Sequence, residues 1–112
     1  MPFNRNPFPL GKVTATTTTP ARLTANFLSD AEITGMIASK IDLKALSGNN
    51  GDIYLGYSDM DRATLAGVIA LISPGGTWSY SDATSLNSIN PHDLYIGVDV
   101  NGDGVLATAH VR

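Results

Sequence analysis

The residues with the most chemical promise are Asp99, Asn101, Asp103 and Gly104, which spell D-x-N-x-D-G. That spacing opens a calcium loop, in which alternate oxygen side chains converge on a hard cation and glycine permits the sharp bend. The match is partial. The twelfth position, where a bidentate Glu belongs, is His110, and the residues after Gly104 read as a strand rather than an exiting helix. Asn-Gly and Asp-Gly are also the strongest short hairpin signals. A hairpin turn is therefore the preferred reading, with Asp99, Asn101 and Asp103 as a weak calcium candidate. No cofactor is expected.

Other chemistry is thinner. His92 beside Asp93 has the types needed to orient an imidazole for base catalysis, but no G-x-S-x-G elbow or H-E-x-x-H pair supplies a nucleophile or a metal. Ser73-Pro74-Gly75-Gly76 lacks the following lysine and helix of a phosphate cradle and reads as a turn. Trp78 with Tyr80 on one strand face, and Tyr54 with Tyr57 on opposite faces, offer rings for a sugar or protein surface, with core packing as the competing use. Asp30, Asp59 and Asp61 read as solvated turn residues. No catalytic residue is assigned, and the protein is expected not to be an enzyme.

The chain that must position these groups has 112 residues, enough for one hydrophobic core and one domain. Apolar residues make up 43% and argue against disorder, while charged residues make up only 15%, so Thr, Ser, Asn and Gly must cover much of the surface. A net charge of −3 gives no basic face for nucleic acid. The longest apolar run, Val68 to Ile72, is strand-sized and too short to span a bilayer. The first residues lack the apolar core of a secretory signal. Without cysteine, disulfides and thiol chemistry are excluded.

Residues 1–11 carry Pro2, Pro7 and Pro9 around Phe3, Phe8 and Leu10, which predicts an extended arm, either a disordered terminus or one docking its apolar side chains on a neighbour. Residues 12–112 should form the domain. Strands are expected over Lys12–Thr19 and Arg22–Phe27 from β-branching and alternation. Ser29 to Leu46 contains a helix candidate interrupted by Gly35, but strands are preferred, because Ile41, Leu43 and Ala45 alternate with Lys40, Asp42 and Lys44. After the Gly48–Asp52 turn come Ile53–Tyr57, a loop, a buried strand Val68–Ile72, the Pro-Gly turn and Thr77–Tyr80. Leu94–Val100 and Val105–Val111 should close the chain as a hairpin across Asn101–Gly104. Seven or eight short strands at this spacing predict an all-β, antiparallel, jelly-roll-like β-sandwich.

The succession GNNGDIYLGYSD, LISPGGTWSY and DLYIGVDVNGDGV resembles small virion structural proteins of tailed bacteriophages, in particular the β-sandwich proteins that decorate or cement capsids. The resemblance spans most of the chain. It implies a non-enzymatic part that sits on the outer capsid surface of the virion, made in the host cytoplasm. It further implies binding to the major capsid protein as a homo-oligomer, commonly a trimer, with a terminal arm in the lattice contact at Phe3, Phe8 and Leu10. A tail or baseplate part, and a carbohydrate- or calcium-dependent binding module, are the competing readings.

Overall fold

A computed structural model describes residues 7–27, 35, 37–81 and 89–111. Eight strands run in order as β1 (Phe8–Thr14), β2 (Ala21–Arg22), β3 (Ala38–Ala45), β4 (Ile53–Gly56), β5 (Val68–Ile72), β6 (Thr77–Ser81), β7 (Tyr95–Val98) and β8 (Gly104–Val111). They form two antiparallel four-stranded sheets, ordered β1-β8-β3-β6 and β2-β7-β4-β5. Two complete 3-10 turns, Ala25–Phe27 and Pro91–Asp93, and a single 3-10 residue, Gly35, are the helical pieces among the described residues. The expected all-β sandwich is therefore the fold, and the interleaved strand orders are those of a jelly roll.

Period-two alternation explains the core. Ile41, Leu43 and Ala45 of β3, and Val105, Ala107 and Ala109 of β8, turn inward. Ile53 and Leu55 of β4 and Ile96 and Val98 of β7 meet them from the other sheet. Burying each of the larger aliphatics contributes about 1.5–3 kcal/mol. Leu23 and Leu94, in the connections, are also sealed, and the backbone N–H of Leu23 donates to the Leu94 carbonyl at 2.9 Å.

The start of the chain differs from expectation. Residues 8–11 are not arm but the first half of β1, which pairs with β8 from Phe8↔Ala109 to Thr14↔Gly104. Phe8 is 2% exposed and Leu10 is 0% exposed. The Phe8 ring tilts onto Phe27, with centroids 5.3 Å apart. Prolines do not stop this strand because β1 is a sheet edge, where a missing N–H removes no ladder bond. The strand ends at Thr14, and Thr16 to Thr19 form a bridged turn instead of continuing it. The second expected strand keeps only Ala21–Arg22 before the 3-10 turn. Phe3, Asp30 and the helix candidate's residues 29–34 and 36 lie outside the described residues.

Two other expectations need correction. Among the described strands, six of the seven connections cross between the sheets, and only β4 to β5 is a hairpin. Asn101–Gly104 is therefore an arch from β7 in one sheet to β8 in the other. Gly102, at φ +91°, supplies the left-handed residue that an arch needs as much as a hairpin does. The run Val68–Ile72 does form a strand, but at a sheet edge rather than buried: Ile69 is 42% and Leu71 50% exposed.

Candidate interaction surface

The lone hairpin carries a loop built around Asp61. Its carboxylate accepts N–H groups from Ala63 at 2.9 Å and Thr64 at 3.3 Å, which hold the carboxyl below the usual carboxylate range. The Leu65 N–H donates to the Asp61 carbonyl at 2.7 Å, and the Asp61 N–H donates to the Ala66 carbonyl at 2.8 Å. These bonds hold Leu65 in the left-handed region, φ +65°, which a bulky L-residue adopts only when its surroundings impose it. The cost of that conformation sets an apolar side chain, 46% exposed, at the hairpin tip.

Arg62 fastens the same loop to the sandwich. One guanidinium nitrogen donates to Thr17 O at 2.6 Å, and the other to Asp99 Oδ1 at 2.6 Å and to the Val98 carbonyl. The Tyr54 hydroxyl donates to Asp99 Oδ2 at 2.9 Å, and that bond to a carboxylate raises the phenol pKa. Gly97 makes room for the strap, since a Cβ there would lie 3.1 Å from Met60 Sδ and 3.3 Å from Arg62 Cδ. Between this loop and the Thr16–Thr18 turn lies a polar cleft of about 540 Å³.

The hairpin's outward side is apolar. Tyr54 pairs with Leu71 of β5 and Gly97 of β7, and Tyr95 pairs with Arg22, whose guanidinium stands 4.7 Å over the ring. Tyr57, Leu65, Ile69 and Leu71 account for four of the six exposed large hydrophobics among the described residues, so exposure is concentrated on this element. The opposite sheet is chemically different. Lys12, Lys40 and Lys44, all the lysines of the chain, stand on its outer face in register with Leu106 and His110. Asp42 sits among them, 3.7 Å from Lys40 Nζ and 3.2 Å from His110 Nε2.

The calcium candidates are spread over three separate tasks. Asp99 holds Arg62 and Tyr54. Asn101 Oδ1 accepts the Thr17 N–H at 2.7 Å, tying down the β1–β2 turn. Asp103, 4% exposed, accepts N–H bonds from Asn50 at 3.1 Å and Gly51 at 3.0 Å, tying down the β3–β4 arch. Among the described residues no group of three or more His, Cys, Asp or Glu is gathered to hold a metal.

No protein-family model, curated protein or solved structure matches the chain.

The remaining sequence candidates are also placed. Trp78 and Tyr80 pair with Leu43 and Ile41 and so share the inward face, where Trp78 packs partly against the core. Phe8 and Leu10 belong to the core and present nothing to a neighbour. His92 Nδ1 lies 2.9 Å from the buried Thr24 hydroxyl, and the His92 carbonyl accepts from Arg22. Burial first, and the Arg22 charge second, lower the His92 pKa. Sequence reading overlooked Arg62, Asn49 and the exposed face of β5. The usable signal for the last was a strand without a single charged residue or proline.

Proposed function

We propose that this protein is a non-enzymatic virion structural protein that binds the outside of a phage capsid as a homo-oligomer and cements neighbouring capsomers through the major capsid protein. The observation that carries the assembly part is the gathering of Tyr57, Leu65, Ile69 and Leu71 on one braced hairpin. Exposed apolar side chains gathered on one element mark association surfaces, and the loop holds Leu65 in an unfavourable backbone state with its side chain 46% exposed. The capsid part rests on the resemblance of the three strand-and-turn segments. A rigid sandwich repeated over a lattice converts weak contacts into a durable shell. Of the three expected contact residues only Phe3 is left for the capsid, because Phe8 and Leu10 are committed to the core.

The test is co-sedimentation of purified protein with undecorated capsids, using the full chain and a chain lacking residues 1–6. The full chain should pellet with capsids and the shortened chain should stay in the supernatant with an unchanged melting temperature. Full-length protein that stays in the supernatant, with imaging that locates it on the tail, would replace the capsid reading with the tail one.

A further inference from the structure

The four sheet edges of the jelly roll are β1, β6, β2 and β5, and they are not equally protected. On β1, Pro9 offers no N–H to an added strand, and Asn26 Nδ2 caps the Leu10 and Lys12 carbonyls at 3.0 Å each. Strand β2 is two residues long, and β6 alternates hydroxyl side chains outward. Strand β5, VIALI, has neither charge, proline nor cap among the described residues; its ladder with β4 bulges at Ile69, stepping from Leu55↔Ala70 to Gly56↔Val68, and Ile69 and Leu71 on it are open to water. Edges of this kind pair with another strand.

We propose that the β5 edge is the site where a second copy of this chain binds, by antiparallel β5-to-β5 pairing about a two-fold axis at Ala70. The inference rests on the self-association part of the reading above and not on its capsid part. With the axis at Ala70, Val68 faces Ile72 of the other copy and Ile69 faces Leu71, so apolar meets apolar on both faces of the joint sheet. A shift of two residues keeps the faces but sets a turn residue opposite Val68 or Ile72.

Charge leaves this pairing unopposed. No charged residue lies within Val68–Ile72, and all three lysines stand on the outer face of the other sheet, so the axis brings no lysine onto another. The acidic hairpin tip, with Asp59 and Asp61, arrives beside the uncharged Ser73–Gly76 turn of the second copy. Leu65 arrives there too. A stable dimer buries about 800 Å² on each partner, roughly a seventh of the 5819 Å² this chain exposes. Five residues of strand edge do not reach that area, and Leu65 and Tyr57 extend the contact toward it. An isologous contact closes at two copies, unlike the trimer that the resemblance implies.

Light scattering on the full chain should give twice the 11.8 kDa of one copy. Ile69→Lys and Leu71→Lys, both at exposed positions, should give one copy's mass with an unchanged circular dichroism spectrum. Ala70→Cys gives an independent readout, since the chain has no cysteine and only residue 70 meets its own copy across the axis. Antiparallel partners place Cα atoms about 4.5–5.5 Å apart, within disulfide reach. Mild oxidation should therefore cross-link Ala70→Cys and leave Thr108→Cys, on the far sheet, uncross-linked. A monomer at every concentration, a trimer indifferent to both lysines, or equal cross-linking at 70 and 108 would overturn the proposal. Dimers that ignore capsids would sink the capsid reading alone, and monomers that bind capsids would sink this one alone.

Discussion

Asn49 and Gly104 exchange two hydrogen bonds: the Asn49 carboxamide donates to the Gly104 carbonyl at 2.9 Å, and its oxygen accepts the Gly104 N–H at 3.0 Å. A side chain thus takes the place of a strand partner at the mouth of β8, where the chain has just crossed between sheets. Gly104 leaves no room for a side chain of its own, because a Cβ there would sit 2.1 Å from the Val13 carbonyl. Replacing Asn49 by Ala should leave the buried Gly104 N–H without its acceptor, at a cost of about 1–3 kcal/mol. Denaturant unfolding of the variant against the parent checks the value.

Asp103 should behave as an arch lock. Asp103→Ala removes a buried acceptor from the Asn50 and Gly51 amides and should lower stability by roughly 1.5–3 kcal/mol, the range for bonds to a charged group. Calcium should leave the melting temperature of the parent unchanged, because Asp99, Asn101 and Asp103 serve different partners. A rise with millimolar calcium would show that those partners yield to the ion.

Phe8 and the residues before it should separate cleanly in mutagenesis. Phe8→Ala opens a hole against Phe27 and the core and should cost about 3–5 kcal/mol. Deleting residues 1–6 should leave the thermal unfolding midpoint where it was. Were the arm to extend to residue 11, Phe8→Ala would leave the midpoint unchanged as well.

His92 should make stability depend on pH in the mildly acid range. Its folded pKa lies below the ordinary 6.5, so above about pH 6.5 both folded and unfolded states hold it neutral and its contribution is fully present. As pH falls below that value the unfolded chain takes up the proton first, and the contribution is lost down to the folded pKa. His92→Gln should flatten this part of a stability profile measured between pH 7.5 and 5. Asp61 has the same sign at lower pH: its carboxyl is depressed, so its contribution is present above the ordinary Asp value and fades in acid.

Much of the fold could be read from local pattern, because a strand with one face in the core writes that face as every second residue. Ile41, Leu43 and Ala45 show it without ambiguity. Turns at 48–52, 73–76 and 101–104 were equally visible, since few residues accept the backbone angles they need. Which sheet a strand joins after such a turn was not visible: Gly102 serves an arch and a hairpin alike. The edge position of β1 was hidden for a related reason, as Pro7 and Pro9 argue against a central strand and say nothing against an outer one. The run VIALI reads the same whether both faces are covered or one is bare. The site was less legible than the fold because it depends on exposure, which neighbours decide.

The order of strands in the first sheet also governs when the protein can fold. Strand β8 lies between β1 and β3, yet it is the latest of the eight in sequence. On the ribosome, β1 and β3 wait without their shared neighbour until β8 itself has been made, and every sheet pairing except β4–β5 spans a crossover. Such topologies collapse slowly, over milliseconds to seconds. Through that interval the newly made β4–β5 hairpin is the one piece able to form alone, and its sticky strand is on offer before the sandwich exists to present it. Synthesis rate and local concentration in the cell therefore decide how many copies pair in the right register and how many aggregate first.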